Sequence, residues 1–259
     1  MLGQSSLQTF ERFTHHLNLE ATQSAMSLTQ TTLRIASGRP QDASLDDVVA
    51  LGSAAARSVT KRAIDIVGAL VGLIALSPVL AVVALLVRLD SRGPILFCQK
   101  RVGLNGREFS CLKFRTMVAN AEAQLRDLES RNESAGGILF KIKEDPRVTT
   151  LGRFLRRSSL DELPQLWNVL VGQMSLVGPR PLQLRDSSRL QALAPESYQR
   201  RLSVMPGVTG PWQVGGRSEV DSLGMLQLDL DYVKNWTLAT DLDILYKTVG
   251  VVIRRQGAC

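Results

Sequence analysis

The chain is organised around the stretch Arg156-Arg157-Ser158-Ser159-Leu160-Asp161-Glu162-Leu163-Pro164-Gln165-Leu166-Trp167. Proline is tolerated only in the first turn of a helix, because it lacks an N–H donor and its ring clashes with the carbonyl four residues back. After Pro164, apolar residues recur at helical spacing as far as Val171. We therefore predict a helix that begins between Ser159 and Glu162, with two carboxylates at its N-terminus.

The two carboxylates, Asp161 and Glu162, have two interpretations. Helix N-termini favour negative charge and bind phosphate, and two acidic residues beside Arg156 suggest a metal–phosphate site. Alternatively, Ser159 followed three residues later by Glu162 forms a capping-box pattern that only stabilises the helix end. The pair alone does not decide between these interpretations.

The composition narrows the choice of partner. The 259 residues carry a formal net charge of +7 and only 5% aromatic residues, without zinc-finger spacing. This balance favours phosphorylated small molecules or acidic lipid and argues against nucleic acid. The three cysteines are an odd number at unpaired spacing, which indicates a reducing compartment.

The most apolar stretch, Ile64 to Val87, is long enough to cross a hydrocarbon core of about 30 Å. An ordinary transmembrane span is one interpretation. Two features argue against it: Ser77-Pro78 interrupts the stretch, and both flanks are basic, Lys61-Arg62 before and Arg88 after. Because positive flanks stay on the cytoplasmic side, we predict a re-entrant helix that bends at Ser77 and Pro78 and returns.

A β-hairpin is predicted next, from Ile95 to Arg115, with its turn at Asn105-Gly106. Side chains alternate between the two faces of a strand. Lys113 and Arg115 should therefore share one face, either as solvated cations or as phosphate ligands.

Arg180 lies between Pro179 and Pro181. The residue before a proline is restricted to extended conformations, so this arginine is presented on a stiff backbone. Stiff presentation suits an arginine that contacts phosphate, because less entropy is lost on binding.

The last segment, Leu242 to Ile253, is an amphipathic helix pattern that ends in basic residues. It is compatible with a helix lying in a membrane interface and equally with one packed on the core.

Together these motifs resemble the bacterial sugar transferases, a family of monotopic polyprenyl-phosphate phosphoglycosyl transferases. The resemblance covers residues 61–257 and comprises Lys61-Arg62 with Asp65, Ser77-Pro78, Gln99-Lys100-Arg101-Val102-Gly103, Lys113-Phe114-Arg115-Thr116-Met117, Asp145-Pro146-Arg147, Ser159-Leu160-Asp161-Glu162-Leu163-Pro164-Gln165, Met174-Ser175-Leu176-Val177-Gly178-Pro179-Arg180-Pro181 and Pro206-Gly207-Val208-Thr209-Gly210. Each motif is weak alone, but their order and spacing are specific.

The resemblance implies that Asp161 is a nucleophile and that Glu162 binds Mg²⁺. It also implies that a UDP-sugar donates its sugar phosphate to polyprenyl phosphate. The residues predicted to handle the substrate phosphates, or to lie beside them, are Lys113, Arg115, Arg156, Arg180, Arg217 and Asp229. The sequence does not identify the sugar.

The resulting fold prediction is an α/β protein, mostly helical with a small β-hairpin, attached to a membrane. We predict an accessory segment at residues 1–60, a re-entrant helix-break-helix at 61–92, and a cytosolic catalytic domain with interfacial helices at 93–259. The expected location is the cytoplasmic face of the bacterial inner membrane, with membrane lipid and a second copy of the chain as further candidate partners. The rival interpretations are a non-enzymatic scaffold that binds anionic lipid and a soluble hydrolase domain on a single-span anchor.

Overall fold

The elements follow from where proline, glycine and apolar residues fall in the chain. The computed structural model describes residues 55–56, 58–118, 120–121, 123–125, 128, 142, 144–216 and 220–254. Most of the predicted accessory segment 1–60, and Arg217, lie outside these residues.

Helices dominate the described residues, and the strands are few and short. The helices are α1 (Val59–Ala75), α2 (Ser77–Asp90), α3 (Thr150–Arg157), α4 (Gln165–Leu170), α5 (Leu184–Leu193), α6 (Pro195–Arg201), α7 (Pro211–Val214), α8 (Ser222–Lys234) and α9 (Leu238–Arg254). The strands are β1 (Leu96–Val102), β2 (Glu108–Phe114), β3 (Ser175–Val177) and β4 (Gly207–Thr209). The prediction of a mostly helical chain with a small sheet is confirmed.

Helices α1 and α2 meet at Leu76 with a bend of 63°. Pro78 lies in the first turn of α2, where its missing N–H does no harm, and the Ser77 hydroxyl donates to the Ile74 carbonyl at 2.8 Å. No single helix in the described part of the chain is long and apolar enough to cross a membrane. The bent pair meets that length and composition criterion only when its two helices are taken together.

Helix α1 has an inverted distribution of polarity. The residues it buries are Lys61, Asp65 and Ala69, which recur every four positions on one face. Its opposite face exposes large apolar side chains, among them Val67 (60% exposed) and Ile74 (66% exposed). A helix packed on a water-soluble core has the reverse arrangement, with its apolar face inward.

The buried cation of α1 is paired with the C-terminal helix. Lys61 Nζ donates to Asp241 Oδ2 at 2.6 Å and to the Val177 carbonyl at 3.0 Å. Tyr232 Oη donates to the other oxygen of Asp241 at 2.7 Å. This network joins α1, β3, α8 and α9, which lie far apart in the sequence.

The predicted hairpin is present, with β1 and β2 antiparallel from the Leu96–Phe114 pair to the Val102–Glu108 pair. Asn105 (φ 53°) and Gly106 (φ 78°) adopt the left-handed conformations that this turn requires. A second, parallel pair joins β3 to β4.

The predicted start of the central helix is wrong. Helix α4 begins at Gln165 with Pro164 as its N-cap residue, and Asp161 and Glu162 lie in a separate 3₁₀ turn, Leu160–Glu162. Ser159 adopts a left-handed conformation (φ 57°), and its side chain makes no capping hydrogen bond. The capping-box interpretation of Ser159 and Glu162 is therefore wrong, because the Ser159 side chain does not cap the 3₁₀ turn and the α-helix begins only at Gln165.

Helix α4 is fixed against β2 by a buried amide. Asn168 Oδ1 accepts from Leu112 N at 3.0 Å, and its Nδ2 donates to the Ser110 carbonyl at 2.8 Å and to Gln173 Oε1 at 2.7 Å. Because these bonds join the backbone of β2 to α4, they bring the 160–162 turn beside Lys113.

Candidate active site

Glu162 is the centre of the candidate site. Its Oε1 accepts from Lys113 Nζ at 2.7 Å and from Arg180 Nη2 at 2.9 Å, so β2, the 160–162 turn and the loop after β3 converge on one oxygen. Burial would raise the pKa of Glu162, but the charges and hydrogen bonds of Arg180 and Lys113 outweigh it and hold that pKa well below its ordinary value. Glu162 therefore remains a carboxylate at every physiological pH.

Asp161, its neighbour, is shifted in the opposite direction. The residue is 6% exposed. Burial, assisted by the negative charge of Glu162, raises its pKa to about 6 against the lowering effects of Lys113, Arg156 and Arg180. Adjacent carboxyl groups with pKa values driven apart are a signature of groups with different chemical roles.

Arg156 reaches the same site from the last turn of α3. Its Nε donates to Thr116 Oγ1 at 3.0 Å, which fixes the guanidinium at the end of the hairpin. Burial lowers the pKa of Arg156, and the charge of Asp161 opposes that shift. We call the five residues Lys113, Arg156, Asp161, Glu162 and Arg180 the central charge cluster.

Two contacts, one with Glu162 and one with Trp212, orient the guanidinium of Arg180. One side contacts Glu162, and the carbon Cζ lies 5.6 Å from the centre of the Trp212 ring, a cation–π distance. No sequence pattern predicted a role for Trp212, although it follows shortly after the Pro206-Gly207 turn, whose Gly207 N donates to the Pro179 carbonyl beside Arg180.

One residue predicted to bind phosphate, Arg115, lies elsewhere. Arg115 follows the last residue of β2, so the alternation that placed it beside Lys113 ends before it. Its guanidinium donates to the carbonyls of Val87 (3.1 Å), Ser91 (2.5 Å) and Pro94. Val87 and Ser91 lie at the C-terminal end of α2, where a helix leaves its carbonyls without internal partners, and Pro94 lies in the segment that follows. The prediction that Arg115 shares a phosphate-facing surface with Lys113 is wrong.

Asp229 is fully buried and paired with Arg201, Nε to Oδ2, at 2.7 Å. Its side-chain contact is therefore with Arg201, which in turn donates to the Arg180 carbonyl. The predicted role of Arg217 falls outside the described residues.

A match to a family model accounts for these motifs. The model described as "Bacterial sugar transferase" matches residues 56–255. The chain belongs to the bacterial sugar transferase family. The described elements from α1 to α9 all fall within the matched range.

Curated relatives of this sugar transferase extend the comparison. It is 46% identical over 201 residues to an undecaprenyl-phosphate galactose phosphotransferase of Salmonella typhimurium and 44% identical over 201 residues to a UDP-galactose-lipid carrier transferase of Erwinia amylovora. Each alignment covers 76% of the chain but only 41% of the relative, so the chain spans about two-fifths of their length. It is also 42% identical over 203 residues to the exopolysaccharide production protein ExoY of Sinorhizobium fredii, of which it covers 88%, with 77% of its own length aligned.

One carboxylate of the central charge cluster could take part in holding a metal ion. Within the described residues there is no group of three or more His, Cys, Asp or Glu side chains that could hold a metal. Mg²⁺ commonly uses one or two protein carboxylates together with substrate phosphates and water. Lys113 and Arg180 both contact Oε1 of Glu162. Neither of these contacts uses Oε2, which is the oxygen suited to the ion.

Proposed function

We propose that this chain transfers a sugar 1-phosphate from a UDP-sugar to undecaprenyl or another polyprenyl phosphate and releases UMP. This reaction would be the first membrane step of exopolysaccharide, capsule, O-antigen or glycoconjugate assembly. The observation that carries the proposal is the pair of adjacent carboxyl groups, whose pKa values are shifted in opposite directions, beside the cations Lys113, Arg156 and Arg180. The names of the relatives, which mention undecaprenyl phosphate and UDP-galactose, agree with this substrate class.

The proposed chemistry has two steps. An oxygen of Asp161 attacks the phosphorus that carries the sugar, forming a bond to it as the bond to the UMP oxygen breaks. The phosphate oxygen of the lipid then attacks the same phosphorus, and Asp161 leaves as a carboxylate. Both steps thus bring an anionic nucleophile, first a carboxylate and then a phosphate, against a negatively charged phosphate group, and both suffer repulsion between negative charges.

The cations of the cluster offset this repulsion. Lys113 and Arg180 are already held by Glu162, and Arg156 by Thr116, so little reorganisation is needed when charge develops on the phosphate. Glu162 would hold Mg²⁺, which when bound draws negative charge from the phosphate oxygens.

The direct test is UMP release from purified protein. Protein, Mg²⁺ and a panel of UDP-sugars should release UMP up to one molecule per active site without lipid, and catalytically once polyprenyl phosphate is added. A protein that binds anionic vesicles but releases no UMP with any donor would instead support the lipid-binding scaffold.

We further propose that the bent pair α1–α2 enters one leaflet at the cytoplasmic face of the inner membrane. The inverted polarity of α1 supports this, because a charged inner face and an apolar outer face suit a helix surrounded by lipid. Exposed apolar residues on α9, including Leu242 (57%) and Val249 (59%), and Trp167 at 54% on α4 are candidates for contact with the interface.

This topology predicts the outcome of cysteine labelling. In a variant with Cys98 and Cys259 changed to serine, Thr60→Cys and Arg92→Cys replace exposed residues at the two ends of the bent pair. Both should react with a membrane-impermeant maleimide only from the cytoplasmic side of oriented vesicles. Reaction of the two positions from opposite sides would show an ordinary span. Adding Pro78→Ala should shift some molecules toward that spanning topology, because the straightened helix can continue its hydrogen bonds.

The proposed nucleophile predicts the pH dependence of the first step. Since Asp161 must be ionised to attack and its pKa is raised to about 6, the burst rate should be constant above about pH 7 and fall about tenfold per unit below pH 6. The measurement is the UMP burst without lipid, because the lipid phosphate itself titrates near pH 6. Glu162 does not titrate in this range. A rate that stays constant down to pH 5 would contradict the assignment.

A further inference from the structure

The loop that carries Arg180 is held by its carbonyl oxygens. Pro179 and Pro181 have no N–H, so the loop has few donors of its own. Each of four consecutive carbonyls, those of residues 179–182, accepts a hydrogen bond from another part of the chain. The donors, in that order, are Gly207 N (2.9 Å), Arg201 Nη2, Arg101 Nη1 and Val102 N (3.1 Å).

The carbonyl of Arg180 itself depends on a buried ion pair. Arg201 lies at the C-terminal end of α6 and Asp229 in α8, with side chains 3% and 0% exposed. Arg201 uses two edges of its guanidinium: Nε donates to Asp229 Oδ2 at 2.7 Å, and Nη2 donates to the Arg180 carbonyl. A planar guanidinium is suited to connecting two acceptors in a fixed geometry.

We propose that Arg201 and Asp229 are positioning residues, whose ion pair holds the backbone of Arg180 and so keeps its guanidinium in the central charge cluster. Asp229 fixes the orientation of Arg201, Arg201 holds the carbonyl of Arg180, and the flanking prolines transmit that constraint to the side chain. This inference deepens the proposed function. It gives a role to an acidic residue near the site whose carboxylate contacts Arg201.

A double-mutant cycle separates positioning from simple core stability. Asp229→Asn keeps the size of the side chain and one acceptor for Arg201 but removes the charge. We expect it to lower kcat/KM for the UDP-sugar by about tenfold to a hundredfold. Arg180→Lys should then cost at least about tenfold less in the Asp229→Asn background than in the wild type, because Arg180 has already lost its fixed geometry. Additive losses would overturn the proposal.

Two further variants serve as controls, one for the general loss of a buried ion pair and one in case Asp229→Asn does not fold. Asp145→Asn removes the anion of another largely buried pair, Asp145–Arg147, whose arginine donates to the Ala121 carbonyl. Any loss of kcat/KM that Asp145→Asn causes should be additive with the loss caused by Arg180→Lys. If Asp229→Asn does not fold, Arg201→Lys takes its place in the cycle, since an ammonium group keeps the charge but cannot reproduce both guanidinium contacts.

A readout independent of activity keeps the two proposals distinguishable. Hydrogen exchange of a peptide covering residues 177–184 should be at least about tenfold faster in Asp229→Asn or Arg201→Lys than in the wild type, with the amides of α4 unchanged. Unchanged protection of that peptide would overturn the positioning role even if UMP is released. Failure of the wild type to release UMP would instead contradict the proposed function. The exchange rates would still test whether the ion pair holds the Arg180 loop.

Discussion

Replacing Asp161 with asparagine should lower the rate of UMP release by a factor on the order of 10⁴ or more, while the protein remains at least as stable as the wild type at pH 7. The rate falls because the amide is not a nucleophile toward phosphorus, and losses of this order follow removal of a nucleophilic side chain. Stability should not fall, because the charged form of Asp161 is already disfavoured by burial.

The sign of the stability effect follows from the direction of the pKa shift. The pKa of Asp161 is raised to about 6 in the folded state, above its ordinary value. Its favourable contribution to stability is therefore present at low pH and is lost as the pH rises through about 6. At pH 7 the buried carboxylate is mostly ionised and destabilises the fold, and asparagine removes that cost.

Two measurements check this prediction. Quenched-flow assay of UMP without lipid should show no burst for Asp161→Asn, and intact-mass spectrometry should detect a phosphosugar adduct on the wild type only. Thermal unfolding at pH 7 should give a midpoint no lower than that of the wild type. Glu196→Gln, which changes an exposed carboxylate on α6, is the matched control and should keep its burst. An adduct on the Asp161→Asn protein would show that another residue is the nucleophile.

Replacing Arg180 with lysine should lower kcat/KM by one to several orders of magnitude and leave the fold intact. Lysine keeps the charge, so Glu162 retains a cation. It loses the planar guanidinium that can contact Glu162 or phosphate at one edge while lying over the Trp212 ring. Each tenfold loss corresponds to about 1.4 kcal/mol of transition-state stabilisation.

Steady-state kinetics with polyprenyl phosphate and the preferred UDP-sugar measure this loss, and circular dichroism verifies the fold. Arg153→Lys makes the same exchange at an exposed position of α3, where the arginine contacts Thr150 Oγ1, and should have near-native kinetics. If Arg180→Lys also turned over at a near-native rate, Arg180 would be a structural residue. Positioning of its guanidinium by Arg201 would then not matter for the reaction.

Local sequence patterns predicted the elements better than their boundaries. The Asn105-Gly106 turn and the break near Pro78 were predictable because glycine, asparagine and proline restrict the backbone where they stand. The first residue of α4 could not be predicted in this way. Apolar periodicity locates a helix but does not fix its first residue, and the left-handed Ser159 separates the acidic turn from the helix.

Contacts between distant elements account for the remaining differences. Asp229 could be assigned to the neighbourhood of the site, but its partner, Arg201, lies 28 residues earlier on a different helix. Likewise the Arg115 side chain donates to carbonyls at the end of α2, and these hydrogen bonds set its direction instead of the side-chain alternation of β2. Neither partner is implied by spacing along the chain.

The Lys61–Asp241 pair has a consequence for biosynthesis. Its two residues are separated by 180 positions. A ribosome that adds about 5–20 residues per second therefore needs roughly 9–36 s to reach Asp241 after it has added Lys61. Throughout that interval the buried charge of α1 lacks the carboxylate that pairs with it in the folded protein. The first long helix of the described chain therefore waits for the last one before its buried charge is paired.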